Sequence, residues 1–218
     1  MATLFNGCSK PAPQAPAPAA ADTSGDTVPA ARVMPAATPL AGLAGQHIVV
    51  LPLHYIRADT SGFAAQVTDP RATLAALDSA IERELDARGF GATWTFPPAL
   101  ARSAKRNAGY VSNPYSLAAE RLRTGVRTTD ERLAEPFASQ LRAMVAVTDA
   151  RYALFPVELR FERLADGRML TLLHVVLLDA RGSSIRWAGD VRGAASASVT
   201  PATIESLAFA LADLVAAP

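Results

Sequence analysis

The segment Arg151–Arg192 constrains the fold of this chain more than any other. Four apolar residues, Phe155, Val157, Leu159 and Phe161, alternate with Glu158, Arg160 and Glu162. This period of two predicts a strand with one face in a core and the other in water. Asp166-Gly167 then predicts a tight hairpin, because both residues tolerate positive φ. The run Met169–Leu178 is apolar on both faces except at two positions, which predicts a central strand that is covered on both sides.

A second turn and a third strand follow the central strand. Asp179–Ser183 has the polar and glycine residues of a turn, and Ile185–Val191 has the apolar spacing of a strand. Gly189 predicts a weak point or a bulge in that strand. The segment as a whole therefore predicts an antiparallel meander of three strands.

The rest of the globular part alternates between helical and strand patterns. These interleaved elements predict an α/β fold with a mixed sheet of about five strands, which ends in the antiparallel meander and is packed by amphipathic helices. The predicted elements are a strand at His47–Ile56 interrupted at Pro52, a helix from Pro70 to Gly89 with Asp69 as its N-cap, a short strand at Thr93–Phe96, a helix regular from about Glu135 to Thr148, and a closing helix at Pro201–Ala216 with Thr200 as its N-cap.

The helix after Asp69 has the clearest amphipathic pattern. Its apolar stripe consists of Leu74, Leu77, Ile81 and Leu85, which predicts that these side chains face the core. The charged residues of this helix, Asp78 among them, are assigned to the remaining, solvent-facing sides.

The first 45 residues differ in composition from the rest. Residues 1–8, MATLFNGC, resemble the end of a bacterial lipoprotein signal peptide, with Cys8 as the acylated residue; the alternative is an ordinary cysteine on a flexible tail. Residues 9–45 are rich in proline and alanine and lack hydrophobic periodicity, which predicts a disordered tether. Residues 46–218 are predicted to form a single α/β domain.

A basic and aromatic stretch lies between the predicted strand at Thr93–Phe96 and the helix near Glu135. It is a possible contact surface for an acidic partner, a glycan or a phosphate; the alternative is a solvated loop and helix face. The residues predicted for such a surface are Arg102, Lys105, Arg106, Tyr110, Tyr115, Arg121, Arg123 and Arg127.

Four motifs of this chain are similar to those of a known group of bacterial envelope domains. They are VLPL at Val50–Leu53, ELDARGF at Glu84–Phe90, RYALFPVELRF at Arg151–Phe161 and VVLLDARGSSIRWAGDV at Val175–Val191. The chain from His47 onward resembles the α/β domain shared by the amino-terminal part of the Tol-Pal propeller protein, the curli-secretion lipoprotein and the lipoproteins that activate penicillin-binding proteins. The positions that carry this resemblance are Leu178, Asp179, Arg181, Gly182, Ile185, Trp187 and Gly189.

The sequence offers little support for catalysis, metal binding or nucleic-acid binding. The three histidines occur singly, there is one cysteine, and the net charge of +1 gives no electrostatic case for nucleic acid. Residues Asp59–Gly62 resemble an aspartic-protease signature only superficially, as does the similar tract at residues 21–25. We therefore expect a protein that is not an enzyme and that uses neither a cofactor nor a metal.

The resemblance implies a module that faces the periplasm, binds other proteins and catalyses no reaction. Together with Cys8 it predicts an outer-membrane lipoprotein that reaches the membrane through a lipid anchor only. Its expected partner is an envelope protein or a cell-wall component, and its expected role is in cell-envelope assembly or maintenance. The alternative is an envelope lipoprotein that binds a small ligand in a cleft at the edge of the sheet.

Overall fold

The structure, a computed structural model, describes residues 40–59, 61–123 and 129–217. Cys8, nearly all of the predicted tether, Thr60 and Arg127 lie outside these residues. The described elements are β1 (Ile48–Val50), β2 (Tyr55–Ile56), α1 (Pro70–Ala87), β3 (Trp94–Thr95), α2 (Pro97–Arg106), α3 (Phe137–Ala146), β4 (Tyr152–Arg163), β5 (Met169–Asp179), β6 (Ser184–Arg192) and α4 (Pro201–Ala216).

All six of these strands belong to one mixed sheet in the order β3-β1-β4-β5-β6, with β2 beside β4. β1 runs parallel to both of its neighbours, so that Ile48 pairs with Trp94 on one side and with Tyr152 on the other. β4, β5 and β6 pair antiparallel in succession. The predicted α/β fold with a mixed sheet and a terminal meander is confirmed.

Helices cover both faces of the sheet and divide the buried residues into two cores. α1 and α4 pack on one face and form what we call the α1–α4 core, which includes Leu77, Ile81 and Leu211. α2 and α3 pack on the other face and form the α2–α3 core, which includes Leu100 and Leu141. β4 and β5 contribute side chains to both cores, which explains why β5 is apolar on both faces.

β4 turns its side chains to the opposite face at a bulge between Pro156 and Glu158. Phe155 and Val157 lie in the α2–α3 core, whereas Leu159 lies in the α1–α4 core. The predicted alternation is wrong in this respect, because one extra residue moves every later side chain to the other face. Glu158, which was expected to face water, has a relative exposure of 0%.

β6 contains a bulge, but not at Gly189. Leu177 of β5 pairs with Trp187, but the next residue, Leu178, pairs with Ile185, so the register between the two strands shifts at this point. Gly189 has a different reason to be glycine, because a Cβ there would lie 2.4 Å from the indole ring of Trp187. The Trp187 ring thus occupies the space that a side chain at Gly189 would need.

α1 forms as predicted, with one exception. The Asp69 carboxylate accepts a hydrogen bond from the Ala72 N–H at 3.0 Å, Pro70 is the first helical residue, and Leu77, Ile81 and Leu85 are buried. Asp78, which was expected to face solvent, is also buried. Its position four residues after Leu74 places it next to the apolar stripe.

The two ends of the helical region before β4 differ from the prediction. Pro97-Pro98 ends β3 but also begins α2, a helix that is not among the predicted elements. Proline is accepted in the first turn of a helix. α3 begins at Phe137, just after Pro136.

α4 has the predicted bounds, and the Thr203 hydroxyl accepts a hydrogen bond from the Thr200 N–H at its first turn.

The folded part begins before residue 46. Leu40 and Leu43 are buried in the α1–α4 core, around a short 3-10 turn at Ala41–Leu43. Two residues of the predicted tether, Leu40 and Leu43, thus contribute side chains to this core.

Candidate functional site

α2 presents a basic outer face. Its inner face buries Leu100 and Ala104 in the α2–α3 core, and the helical spacing leaves Arg102, Lys105 and Arg106 exposed. None of these three cations forms an ion pair within the described residues, and α2 itself contains no acidic residue. Their charge is therefore available to a partner.

A highly exposed tyrosine follows this helix. The turn after α2 is held by hydrogen bonds from the Tyr110 and Val111 N–H groups to the Asn107 carbonyl, at 2.9 and 3.0 Å. Val111 is buried, whereas the Tyr110 side chain is 87% exposed. We call Arg102, Lys105, Arg106 and Tyr110 together the α2 surface.

Tyr115, Arg121 and Arg123 lie on elements other than α2. Arg121 is exposed and lines a small groove of about 150 Å³ together with Phe137 and Ile185. Tyr115 lies on a turn that packs against α2, and burial and the charges of two α1 carboxyl groups raise its pKa. Arg127 lies outside the described residues.

Arg123, in contrast, is used inside the fold. Its Nη2 lies 2.8 Å from Oε1 of Glu158, and Arg57 Nη2 lies 2.6 Å from Oε2 of the same carboxylate. The Arg123 guanidinium also stacks over the Tyr55 ring at 4.3 Å. This network attaches the 3-10 turn at Glu120–Arg123 to the sheet, so Arg123 has a structural partner that the sequence did not predict.

Two of the three histidines, His54 and His174, have structural partners. His54 Nε2 donates to the Pro114 carbonyl at 2.8 Å, and burial lowers the pKa of this histidine. His174 Nδ1 lies 2.8 Å from Asp190, which also pairs with Arg160. Burial alone would raise the pKa of Asp190, but these two neighbours lower it by more.

Asp179 has a similar role in the turn between β5 and β6. Its carboxylate accepts from the Gly182 N–H at 2.9 Å and from Arg151 at 2.8 Å. Burial alone would raise the pKa of Asp179, but these hydrogen bonds outweigh it and lower the pKa. Residues 179–182 thus form a turn, as their residue types predict.

The protease-like tract also forms a turn. Asp59 accepts hydrogen bonds from the Ser61 hydroxyl and from the Ala64 N–H, which begins a short 3-10 helix at Ala64–Gln66. The second such tract, residues 21–25, lies outside the described residues. Within the described residues, no group of three or more histidine, cysteine or acidic side chains could hold a metal ion.

A groove of about 530 Å³ runs between α1 and α4. Its walls are formed by small and polar residues of α1, such as Ala72 and Ala76, and by the first turn of α4 around Ile204. It is an open groove between helices and differs from the closed apolar cleft at the sheet edge that small-ligand binding predicts. None of the described helices has the length and apolar character needed to cross a membrane.

Comparisons with known proteins give structural neighbours only. No family model matches the chain, and no curated protein matches it. Among solved structures, the PelC dodecamer from Paraburkholderia phytofirmans is similar at 13% identity, over 80% of this chain and 90% of that one, with a TM-score of 0.38.

Two further structures are similar to a comparable degree. The C-terminal domain of LpoB from Salmonella enterica has 12% identity over 71% of this chain and 93% of that one, with a TM-score of 0.38. The lipoprotein GNA1162 from Neisseria meningitidis has 13% identity over 66% and 77% of the two chains, with a TM-score of 0.31.

Proposed function

We propose that this chain is a non-enzymatic interaction module of the bacterial cell envelope, and that it binds an acidic partner protein through the α2 surface. The observation that supports this proposal best is the set of three exposed cations on one helix face without acidic partners among the described residues. Charges arranged in this way increase the association rate with an oppositely charged surface and contribute to specificity.

Tyr110 adds a second element of recognition next to these cations. A tyrosine that is 87% exposed brings a large apolar ring and a hydroxyl to an interface, and such residues are enriched among those that dominate binding energy. We therefore expect the partner to present carboxylate groups around an apolar spot that receives this ring.

The location of the module in the proposal depends on Cys8. Acylation of Cys8 would place the domain at the outer membrane, facing the periplasm, at the end of a proline- and alanine-rich tether. A mass spectrum of the membrane fraction should contain a diacylated peptide that begins at Cys8, and Cys8→Ser should release the protein from that fraction. An unmodified Cys8 in wild-type protein would contradict the anchor.

The binding surface can be tested by charge reversal. The variant Arg102→Glu/Lys105→Glu/Arg106→Glu should lose the partner protein that the wild type captures by crosslinking in membranes, while its Tm stays unchanged. The matched control changes three exposed cations elsewhere, Arg71, Arg181 and Arg192, to Glu, and should keep the partner. Capture by the first variant would contradict the α2 surface, and capture of purified cell-wall polymer alone would contradict a protein partner.

A further inference from the structure

Asp78 is a buried carboxyl group that no part of the proposed function uses. It has a relative exposure of 8%, and its Oδ1 accepts a hydrogen bond from the Leu53 N–H at 2.9 Å. Leu53 belongs to the segment 51–54 that connects β1 to β2. A side chain of α1 thus fixes the backbone at the carboxyl end of a central parallel strand.

A second segment meets the first at the same place. His54 Nε2 donates to the Pro114 carbonyl at 2.8 Å, and a carbonyl can only accept, so this nitrogen carries the proton. The turn at Pro114–Ser116 is thereby attached to segment 51–54. We call this meeting of α1, segment 51–54 and the turn Pro114–Ser116 the Asp78 junction.

The other titratable groups at the junction do not offset a negative charge on Asp78. Glu82 follows on the same face of α1 one turn later and brings a second carboxyl group, and Tyr115 lies close enough to both for their charges to raise its pKa. Burial lowers the pKa of His54, which favours its neutral form. No arginine or lysine among the described residues pairs with Asp78 or Glu82.

The two protonation states of Asp78 therefore have different consequences. A neutral carboxyl group keeps its bond from Leu53 and places no charge beside Glu82. A carboxylate in the same place is a buried charge with a single neutral donor, beside another carboxylate, and this arrangement is costly. Movement of segment 51–54 or of the Tyr115 turn would let water reach the charge.

We propose that protonation of Asp78 keeps the Asp78 junction closed and that its ionisation opens the junction, so that the Tyr115 turn responds to the pH outside the protein. The switch operates near neutrality, because burial and the charge of Glu82 together raise the pKa of Asp78 to about 7 against the opposing effect of the Leu53 N–H. The partner of the α2 surface has no role in this switch.

NMR of the full chain between pH 5 and pH 9 tests the switch. The Leu53 amide resonance should titrate with a midpoint near 7, and the amides of Tyr115 and Ser116 should exchange with solvent about tenfold faster above the midpoint, after correction for intrinsic rates. A Leu53 midpoint near 4, or protection of the turn that does not change with pH, would overturn the proposal.

Three variants separate Asp78 from its neighbours. Asp78→Asn retains an acceptor for the Leu53 N–H, so it should stay closed over the whole range and lose the titration. Glu82→Gln should lower the midpoint, because it removes a charge that raises the Asp78 pKa. Asp86→Asn, at an exposed position on the same helix, should change neither the titration of the Leu53 amide nor its midpoint. If Asp78→Asn does not fold, an unchanged midpoint in Glu82→Gln would still reject the switch.

Discussion

Glu158 and Asp78 are both buried carboxyl groups, but their neighbours differ in charge. Glu158 lies between the guanidinium groups of Arg57 and Arg123, whereas Asp78 has one backbone N–H and a second carboxyl group nearby. A buried carboxylate is tolerated when hydrogen bonds and positive charge replace its hydration. Glu158 therefore has two cationic partners, whereas Asp78 is suited to bind a proton.

The Glu158 network should respond unequally to the loss of its two sides. The Glu158 side chain is fully buried, whereas those of Arg57 and Arg123 are 43% and 33% exposed and can be hydrated without a partner. We expect Arg57→Ala/Arg123→Ala to lower the free energy of unfolding by about 3–5 kcal/mol, because it leaves a buried charge unpaired. Glu158→Gln should cost only about 1–2 kcal/mol.

Urea unfolding followed by circular dichroism measures this difference. Arg71→Ala, at an exposed position of α1 outside the network, serves as the control and should change stability little. Equal losses from the two network variants would mean that water reaches Glu158 in the native state, and would contradict its structural role.

Single residues also show where sequence patterns stop being sufficient. Asp78 lies four residues after Leu74 and three before Ile81, so the spacing alone places it by the core, and only its charge suggested solvent. Glu158 could not be placed by alternation, because the bulge before it depends on how β4 pairs with its neighbours. The groups that contact both carboxyl groups, such as the Leu53 N–H and the Arg57 guanidinium, lie far from them in the sequence.

Among the secondary-structure elements, α2 shows how one signal can have two meanings. Pro97-Pro98 predicts the end of a strand, because proline lacks the N–H that a sheet requires. The same residues are also favourable at the start of a helix, where that N–H would have no partner. Leu100 and Ala104, four residues apart and both buried, are the sequence signal for this helix, and with it the basic face would have been recognised as one surface.

β6 gives a test of packing within a single strand. Gly189→Ala would place a methyl group within contact distance of the Trp187 ring, where a Cβ meets ring atoms at 2.4 and 2.9 Å. The ring must therefore move away from residue 189, and this movement disturbs its packing against the α1–α4 core. We expect a loss of about 1–3 kcal/mol in stability and a shift of the tryptophan fluorescence maximum in the native protein.

Gly109→Ala is the matched control for this change, because no atom lies within 4 Å of a Cβ at that position. It should leave the fluorescence unchanged. A Gly189→Ala variant with native fluorescence and native stability would show that the Trp187 ring does not require the space above Gly189.

For the whole molecule, the order of elements was predictable except for α2, but the order of strands in the sheet was not. Local patterns place the helices and strands along the chain, yet β1 lies between β3 and β4 because of long-range pairing. Once the strand order is known, the face of the sheet on which each crossover helix lies can be derived. The crossovers β1-α1-β3 and β3-α2-α3-β4 move in opposite directions across the sheet, so the usual right-handed connection places their helices on opposite faces.

The start of the folded part is the last feature that composition misplaced, because Leu40 and Leu43 are set among small residues and prolines. Both side chains are buried in the α1–α4 core, at 0% and 5% exposure. A chain that begins at Gln46 should therefore be less stable than one that begins at Thr38, by roughly 3–5 kcal/mol for two buried leucines.

Urea unfolding of the two shortened chains checks this boundary. Leu40→Ala/Leu43→Ala in the chain from Thr38 should reproduce most of the loss, because the effect comes from the two side chains and not from the position of the new terminus. Equal stability of the two chains would instead return residues 40–45 to the tether. The difference also decides where a tether attached at Cys8 would end, and so how far the α2 surface can reach from the membrane.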